Sequence, residues 1–321
     1  MKELQTTRSP SCRPFELETR RLDGSESFLV EGGPEHAWLG VRGDGLYRVT
    51  RDGLDRVDLE ILPEAAARLG DDLYVATLDA SGLGLVKIGP ALELTPLIST
   101  STYTLPLLEL AAAFGRDGNP RIVAIAGFEI ASAPTLFLEA QLGTAPKWAS
   151  LGRVPHERGV GARAMFTDEG ELLAVTGKEF VVSFRPPEKP TLETLPLRSD
   201  RFEHFRATTL DIGPAVVTHL IVPGPDLSLF YERDSERRWA AVRALPSGQD
   251  DRYQLTGVAR LEGRTFVSAR NGELREVEGE DTLCPGQSVH PIRHMVALRD
   301  AIVVAGNQGP EVWTSFVVPR P

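Results

Sequence analysis

Cysteine is nearly absent from this 321-residue chain: Cys12 and Cys284 are the only two. Two distant thiols rule out a disulfide framework. Two cysteines so far apart also do not make a paired-cysteine zinc pattern. Lysine is scarce, and the formal net charge is −10. No basic face is on offer to phosphates, so nucleic acid is excluded as a partner. Long apolar runs are missing too. The most apolar stretch, Ile122 to Ile130, falls well short of the ~20 residues that cross a bilayer, so no membrane insertion is expected. The segment Met1 to Pro14 is polar and lacks the apolar core of a secretory signal. A cytoplasmic location is the expectation.

Catalytic signatures are absent in the same way. There is no Gly-x-Ser-x-Gly elbow, no P-loop and no dinucleotide fingerprint. Gly82-Leu83-Gly84 reads as a pair of turn glycines. No cofactor is called for.

What is present is a repeated unit. An apolar run ends in Gly or Asp, a second apolar run ends in a tight turn, a third runs back, and a more polar fourth run closes the unit. Clear copies are Ala37-Trp38-Leu39-Gly40-Val41-Arg42-Gly43-Asp44-Gly45-Leu46-Tyr47-Arg48-Val49, Asp72-Leu73-Tyr74-Val75-Ala76-Thr77 and the segment from Thr265 to Val277. Runs of 5–8 residues with a turn every ~10 form the all-β pattern. Asp44-Gly45 and Asn271-Gly272 are hairpin signals. A unit repeated about seven times predicts a seven-bladed β-propeller with four-stranded antiparallel blades, lettered A to D from the channel outward. The reading starts with Ser27–Gly32, His36–Arg42, Gly45–Thr50 and Leu54–Ile61 in blade one. It ends with Arg293–Leu298, Ile302–Ala305 and Val312–Val318 in blade seven. Glu64–Leu69 and Leu107–Phe114 have helical propensity, but their repeat phase makes them strands.

The seventh unit lacks a fourth strand. The alternating segment Phe15–Leu22 has no blade of its own. It is expected to pair with Val312–Val318 and close the ring, burying an edge that would otherwise aggregate. The whole of 1–321 then forms one domain, with 1–14 loosely ordered and 15–22 as the closing strand.

Trp38-Leu39-Gly40-Val41 followed by Gly45-Leu46-Tyr47-Arg48 resembles the repeats of two-component-regulator and YVTN/WD40-like propellers. There is no Gly-His…Trp-Asp pair of a typical WD40 repeat. The segment Tyr231 to Trp239 sits where sialidase-type propellers carry an Asp box, but it lacks the central Gly and reads as a turn with a packed Trp. The resemblance implies a binding surface rather than a particular activity.

The D-to-A connections are long and chemically rich in the middle blades, and they share one rim. They carry Tyr103, then His156 and Arg158, then Arg201, Phe202, His204 and Phe205, then Arg252 and Tyr253. Exposed aromatics beside arginine have the composition of binding hot spots. The reading is a non-enzymatic, protein-binding propeller that docks its partner on this rim, as a scaffold or adaptor subunit of a bacterial multi-component system. A protein encoded in the same operon is the expected partner. The alternative is a small-ligand binder or a metal-dependent hydrolase at the channel mouth. Sugar-lactonase-like propellers hold a divalent cation there, and Glu157, Asp200, Asp250 and Asp251, with Asn271 and Asn307, would supply the oxygens. The same residue types also suit turns. His36 and His219 fall in strand-B positions and read as structural.

Overall fold

The computed structural model describes residues 13–15, 22, 25–58, 61–127, 134–155, 163–167, 169–175, 180–195, 209–212, 218–222, 227–234, 236–246, 255–269, 272–277, 282–285, 292–308 and 311–318. Every regular element among them is a β-strand.

A short strand β1 (Arg13–Phe15) comes first. Blade one is β2 (Ser25–Glu31), β3 (Ala37–Arg42), β4 (Gly45–Thr50) and β5 (Gly53–Val57). Blade two is β6 (Pro63–Leu69), β7 (Asp72–Asp79), β8 (Gly82–Ile88) and β9 (Leu94–Ile98). Blade three is β10 (Leu107–Phe114), β11 (Pro120–Ala126), β12 (Thr135–Gln141) and β13 (Lys147–Val154). Blade four is β14 (Arg163–Phe166), β15 (Leu172–Val175), β16 (Phe180–Phe184) and β17 (Thr191–Thr194). Blade five is β18 (Thr209–Ile212), β19 (Thr218–Val222), β20 (Leu227–Arg233) and β21 (Trp239–Pro246). Blade six is β22 (Leu255–Leu261), β23 (Arg264–Ala269), β24 (Leu274–Glu276) and β25 (Thr282–Pro285). The last sheet is β26 (His294–Ala297), β27 (Ile302–Gln308) and β28 (Glu311–Val317).

Each blade is an antiparallel meander in chain order. The inner strands touch in the series β2, β6, β10, β14, β18, β22, β26, and β26 returns to β2. The chain is therefore a β-propeller. β6 and β10 are strands despite their alanine-rich sequences, because the flanking blades bury both of their faces.

One feature corrects the sequence reading. The structure has six full blades, not seven: five are four-stranded, one is five-stranded, and the β26–β27–β28 sheet has three strands among the described residues. Of the segment expected to close the ring on Val312–Val318, only Phe15 and Leu22 are among the described residues. β1 runs parallel to β25, with Arg13 opposite Leu283, Pro14 opposite Cys284 and Phe15 opposite Pro285, which makes blade six five-stranded. A parallel pair of three residues has no alternating pattern to announce it. Leu22 packs against the cluster between the last sheet and blade one. Cys284 thus lies on a strand paired with the N-terminal segment, and Cys12 lies outside the described residues.

The core lies between blades, and alternation along a strand splits it. In β11, Ile122, Ala124 and Ala126 face blade two, while Val123 and Ile125 face blade four. In β3, Trp38 packs with Leu73 and Val75 of blade two, while Leu39 and Val41 pack with Val303 and Ala305 of the last sheet. Both faces of an inner strand are covered, so these strands read as unbroken apolar runs. Each fully buried Val, Leu, Ile or Phe side chain contributes roughly 1.5–3 kcal/mol. Packing is close at Gly40, where a Cβ would lie 2.3 Å from a ring carbon of Phe28.

Candidate functional site

A meander fixes which loops share a rim. The A-to-B and C-to-D turns lie on one side of the ring, and the B-to-C turns and D-to-A loops lie on the other. A concavity among the described residues lies on the first of these sides, between blades three and four. It is a cleft of about 750 Å³ lined by Phe114, Arg116, Arg121, Phe166, Glu169, Arg185, Pro186 and Pro187, among others.

Its walls are built by three short turns. β10 ends at Phe114, which is 58% exposed although it closes an inner strand. The turn after it is tied by Gly115 N donating to Asn119 O (2.8 Å) and by Gly118 N donating to Gly115 O (2.9 Å). Gly118 has φ of 75°, a conformation a side chain would resist. Asp117 accepts from Asn119 N and Nδ2, and these bonds hold its carboxyl below the usual range. Arg116 is left exposed at the tip. Arg121, at the start of β11, donates to Pro186 O and lies 3.3 Å from Glu139 Oε1. Burial pushes the Glu139 carboxyl up, and Arg121 pulls against that shift.

Across the cleft, Arg185 follows β16. Its Nη2 lies 2.7 Å from Glu169 Oε2, and its buried Nε–H has no acceptor. The turn beyond is closed by Glu188 N donating to Arg185 O (2.8 Å). Phe166 belongs to the cluster between blades three and four. In that cluster Phe137 and Phe184 meet edge to face at 5.4 Å, so the base of the cleft is rigid.

One blade further on, the same rim is closed by a buried ion network. Arg233, at the end of β20, is 6% exposed. Its Nη1 is 2.9 Å from Glu171 Oε2, and its Nε is 3.1 Å from Glu193 Oε2. Glu193 also accepts from Ser183 Oγ (2.6 Å) and Trp239 Nε1 (2.8 Å). Arg237, with φ of 64°, approaches Glu171 at 3.4 Å. Burial alone would raise the Glu193 carboxyl, but the bonds from Arg233, Ser183 and Trp239 outweigh it, and the net shift is downward. Burial likewise lowers Arg233, and its two carboxylate partners more than reverse that. Asp234 caps the β20–β21 turn by accepting from Glu236 N and Arg238 N, both at 2.9 Å. Trp239 is 7% exposed, a packed ring after a turn. It has a counterpart in Trp148 of β13, whose Nε1 donates to Leu83 O of the preceding blade at 3.0 Å.

Of the residues proposed from sequence as partner contacts, Tyr103 is described. It is half-buried and packs against the cluster between blades two and three. Its carbonyl accepts from Leu83 N at 2.8 Å, which lays the β9–β10 loop along the β7–β8 turn. His156, Arg158, Arg201, Phe202, His204, Phe205, Arg252 and Tyr253 lie outside the described residues. So do Glu157, Asp200, Asp250, Asp251 and Asn271 of the metal alternative. Asn307 is described, half-buried in β27. Among the described residues no three His, Cys, Asp or Glu side chains cluster as metal ligands. No helix there is long and apolar enough to cross a membrane. Sequence reasoning missed the cleft. The signal available was a large aromatic at the very end of strand A, followed at once by the Gly-Arg-Asp-Gly turn of residues 115–118.

No family model matches the chain, and no curated protein matches it by sequence. Solved structures do. YCF48, determined bound to a D1 peptide, gives a TM-score of 0.64 at 12% identity, covering 98% of this chain and 100% of that one. A Thermus thermophilus protein described as an oxidoreductase (glucose dehydrogenase) gives 0.51 at 17% identity, covering 80% and 96%. PorZ, a surface component of the type-IX secretion system of Porphyromonas gingivalis, gives 0.49 at 12% identity, covering 96% and 40%. At these identities the likeness to YCF48 and to the Thermus thermophilus protein shows the fold alone.

Proposed function

We propose that the chain is a non-enzymatic, protein-binding propeller, a scaffold or adaptor in a bacterial multi-component system, acting in the cytoplasm. The observation that carries this reading is the rim cleft between blades three and four. It combines an exposed aromatic, Phe114, with arginines on a rigid base, and that pairing is typical of protein-binding hot spots. A rigid ring also lets rim loops vary without harming the core. A propeller of the same fold, YCF48, has been solved with a peptide bound, so the architecture is suited to such a ligand. The D-to-A loops with Arg201, Phe202, His204, Phe205, Arg252 and Tyr253 remain the second docking face within this reading.

The test is capture from native lysate on immobilised full-length chain, in three forms: wild type, Phe114→Ala, and Phe202→Ala with Phe205→Ala. A protein retained by wild type and lost from one variant of unchanged melting temperature supports the reading and identifies the rim. If wild type and both variants retain the same proteins, or none, the protein-binding reading fails.

A further inference from the structure

Four turns on this rim, starting at Gly89, Gly115, Thr167 and Asp234, are built on one pattern. In each, the first residue donates to the carbonyl of the fifth, and the fourth donates to the carbonyl of the first. The fourth residue takes positive φ: 63° at Leu92, 75° at Gly118, 75° at Gly170 and 64° at Arg237. Glycine adopts this conformation freely, and a residue with a side chain is strained by it. Arg237 has a structural return, since its guanidinium reaches Glu171 of the neighbouring blade at 3.4 Å. Leu92 shows no such return among the described residues. It is 40% exposed and belongs to neither apolar cluster flanking blade two. An outward leucine in a strained position does nothing for the fold, and breaches of local preference of this kind mark functional contacts.

We propose that Pro90, Ala91 and Leu92, at the tip between β8 and β9, form an apolar knob that seats in an uncharged, apolar socket on a partner protein. This rests on the protein-binding reading and adds a contact whose residues are not in the cleft wall. All three side chains are exposed and consecutive. The one charged side chain of the turn, Glu93, is turned to its own backbone: Oε2 accepts from Ala91 N at 3.0 Å. The knob is also preformed. Gly89 N donates to Glu93 O and Leu92 N donates to Gly89 O, both at 3.0 Å. A Cβ on Gly89 would lie 1.8 Å from Glu93 Oε1, so the close approach requires glycine. Little conformational freedom is left to lose on docking, and the burial of Leu92 goes largely into affinity. A lipid surface would also take an exposed leucine, but anionic headgroups recruit lysine and arginine. This turn carries neither, on a chain of −10.

Photo-crosslinking on the full chain tests this. Ala91→p-benzoylphenylalanine, irradiated in native lysate, should join to an apolar stretch of one protein. The yield of that adduct should fall by about tenfold when Leu92→Gly is added. The same group at Glu236, in the polar turn of the same pattern, should give no such adduct. Leu92→Gly alone should melt no lower than wild type, because glycine relieves the positive φ and no buried side chain is removed. A leucine with a merely structural role would not combine lost binding with an undiminished melting temperature. Equal adduct with and without Leu92→Gly, the same adduct from Glu236, or a melting temperature several degrees lower in Leu92→Gly would each overturn the proposal. Leu92-dependent sedimentation with phosphatidylglycerol vesicles would place the tip in lipid and overturn it too. Lysate capture that depends on Phe114, or on Phe202 and Phe205, with no adduct from Ala91, ends this proposal and leaves the protein-binding reading standing.

Discussion

Two neighbouring regions of one rim are built from the same residue types and do opposite things. Between blades four and five, Arg233 lies between Glu171 and Glu193, 6% exposed, with the Trp239 ring 5.9 Å from its guanidinium. Between blades three and four, Arg185 meets Glu169 at 2.7 Å, but the two side chains are 36% and 64% exposed, and a cleft opens beside them. In the first case nearly every donor has an acceptor and water is excluded. In the second, solvent reaches the pair, and the Arg185 Nε–H is buried without an acceptor. Fully paired, buried arginine cements a blade interface, and the half-exposed pair lines an open cleft.

The sharpest way to break that comparison is Arg233→Ala. It strands two carboxylates in a buried site, and removing one partner of a buried pair costs about 3–5 kcal/mol. Arg116→Ala, at the exposed tip of the neighbouring cleft, should change stability by less than about 0.5 kcal/mol. Urea unfolding of both variants decides it, and similar midpoints would show that the network is not the cement described. The network also sets a pH response. The folded Glu193 carboxyl sits below its ordinary value of 4.5. Its contribution is therefore complete above that value and is lost as the pH falls through the lower folded value. Unfolding midpoints of wild type should drop over this acid range, and Glu193→Gln should flatten that part of the profile.

Next in size are the two tryptophans that reach back across blade interfaces. Trp148 Nε1 donates to Leu83 O within a buried site, and Trp239 Nε1 donates to Glu193. Trp148→Phe leaves a carbonyl without its donor, at a cost of about 1–3 kcal/mol. Trp239→Phe should cost less, because Arg233 and Ser183 still donate to Glu193. Thermal melts that rank the two in the reverse order would put the greater dependence on the ion network.

These contrasts also mark how far the sequence could be read. The strands were legible because turn glycines and apolar runs recur in phase, and that phase correctly overrode the helical propensity of Leu107–Phe114. Which apolar residue faces which neighbour was not legible, because Ile122 and Val123 look alike until the two flanking blades are in place. The pairing of β1 was not legible for a physical reason: it is parallel, three residues long and begins at Arg13, too short to carry an alternating pattern. The cleft was hidden because Phe114 sits in strand-A phase, where a large aromatic normally means core. Its exposure depends on the turns after β10 and β16, whose residues meet only in three dimensions.

The smallest expected effect on stability is also the most discriminating. Glu169→Gln removes the carboxylate that occupies Arg185 Nη2. Both side chains are substantially exposed, so the pair is worth less than about 1 kcal/mol and the melting temperature should barely move. Thermal melts of this variant beside Arg116→Ala check it, and both should stay within about 0.5 kcal/mol of wild type. A loss above about 1 kcal/mol from Glu169→Gln alone would show that this exposed pair braces the cleft turns much as the buried network braces the next blade interface.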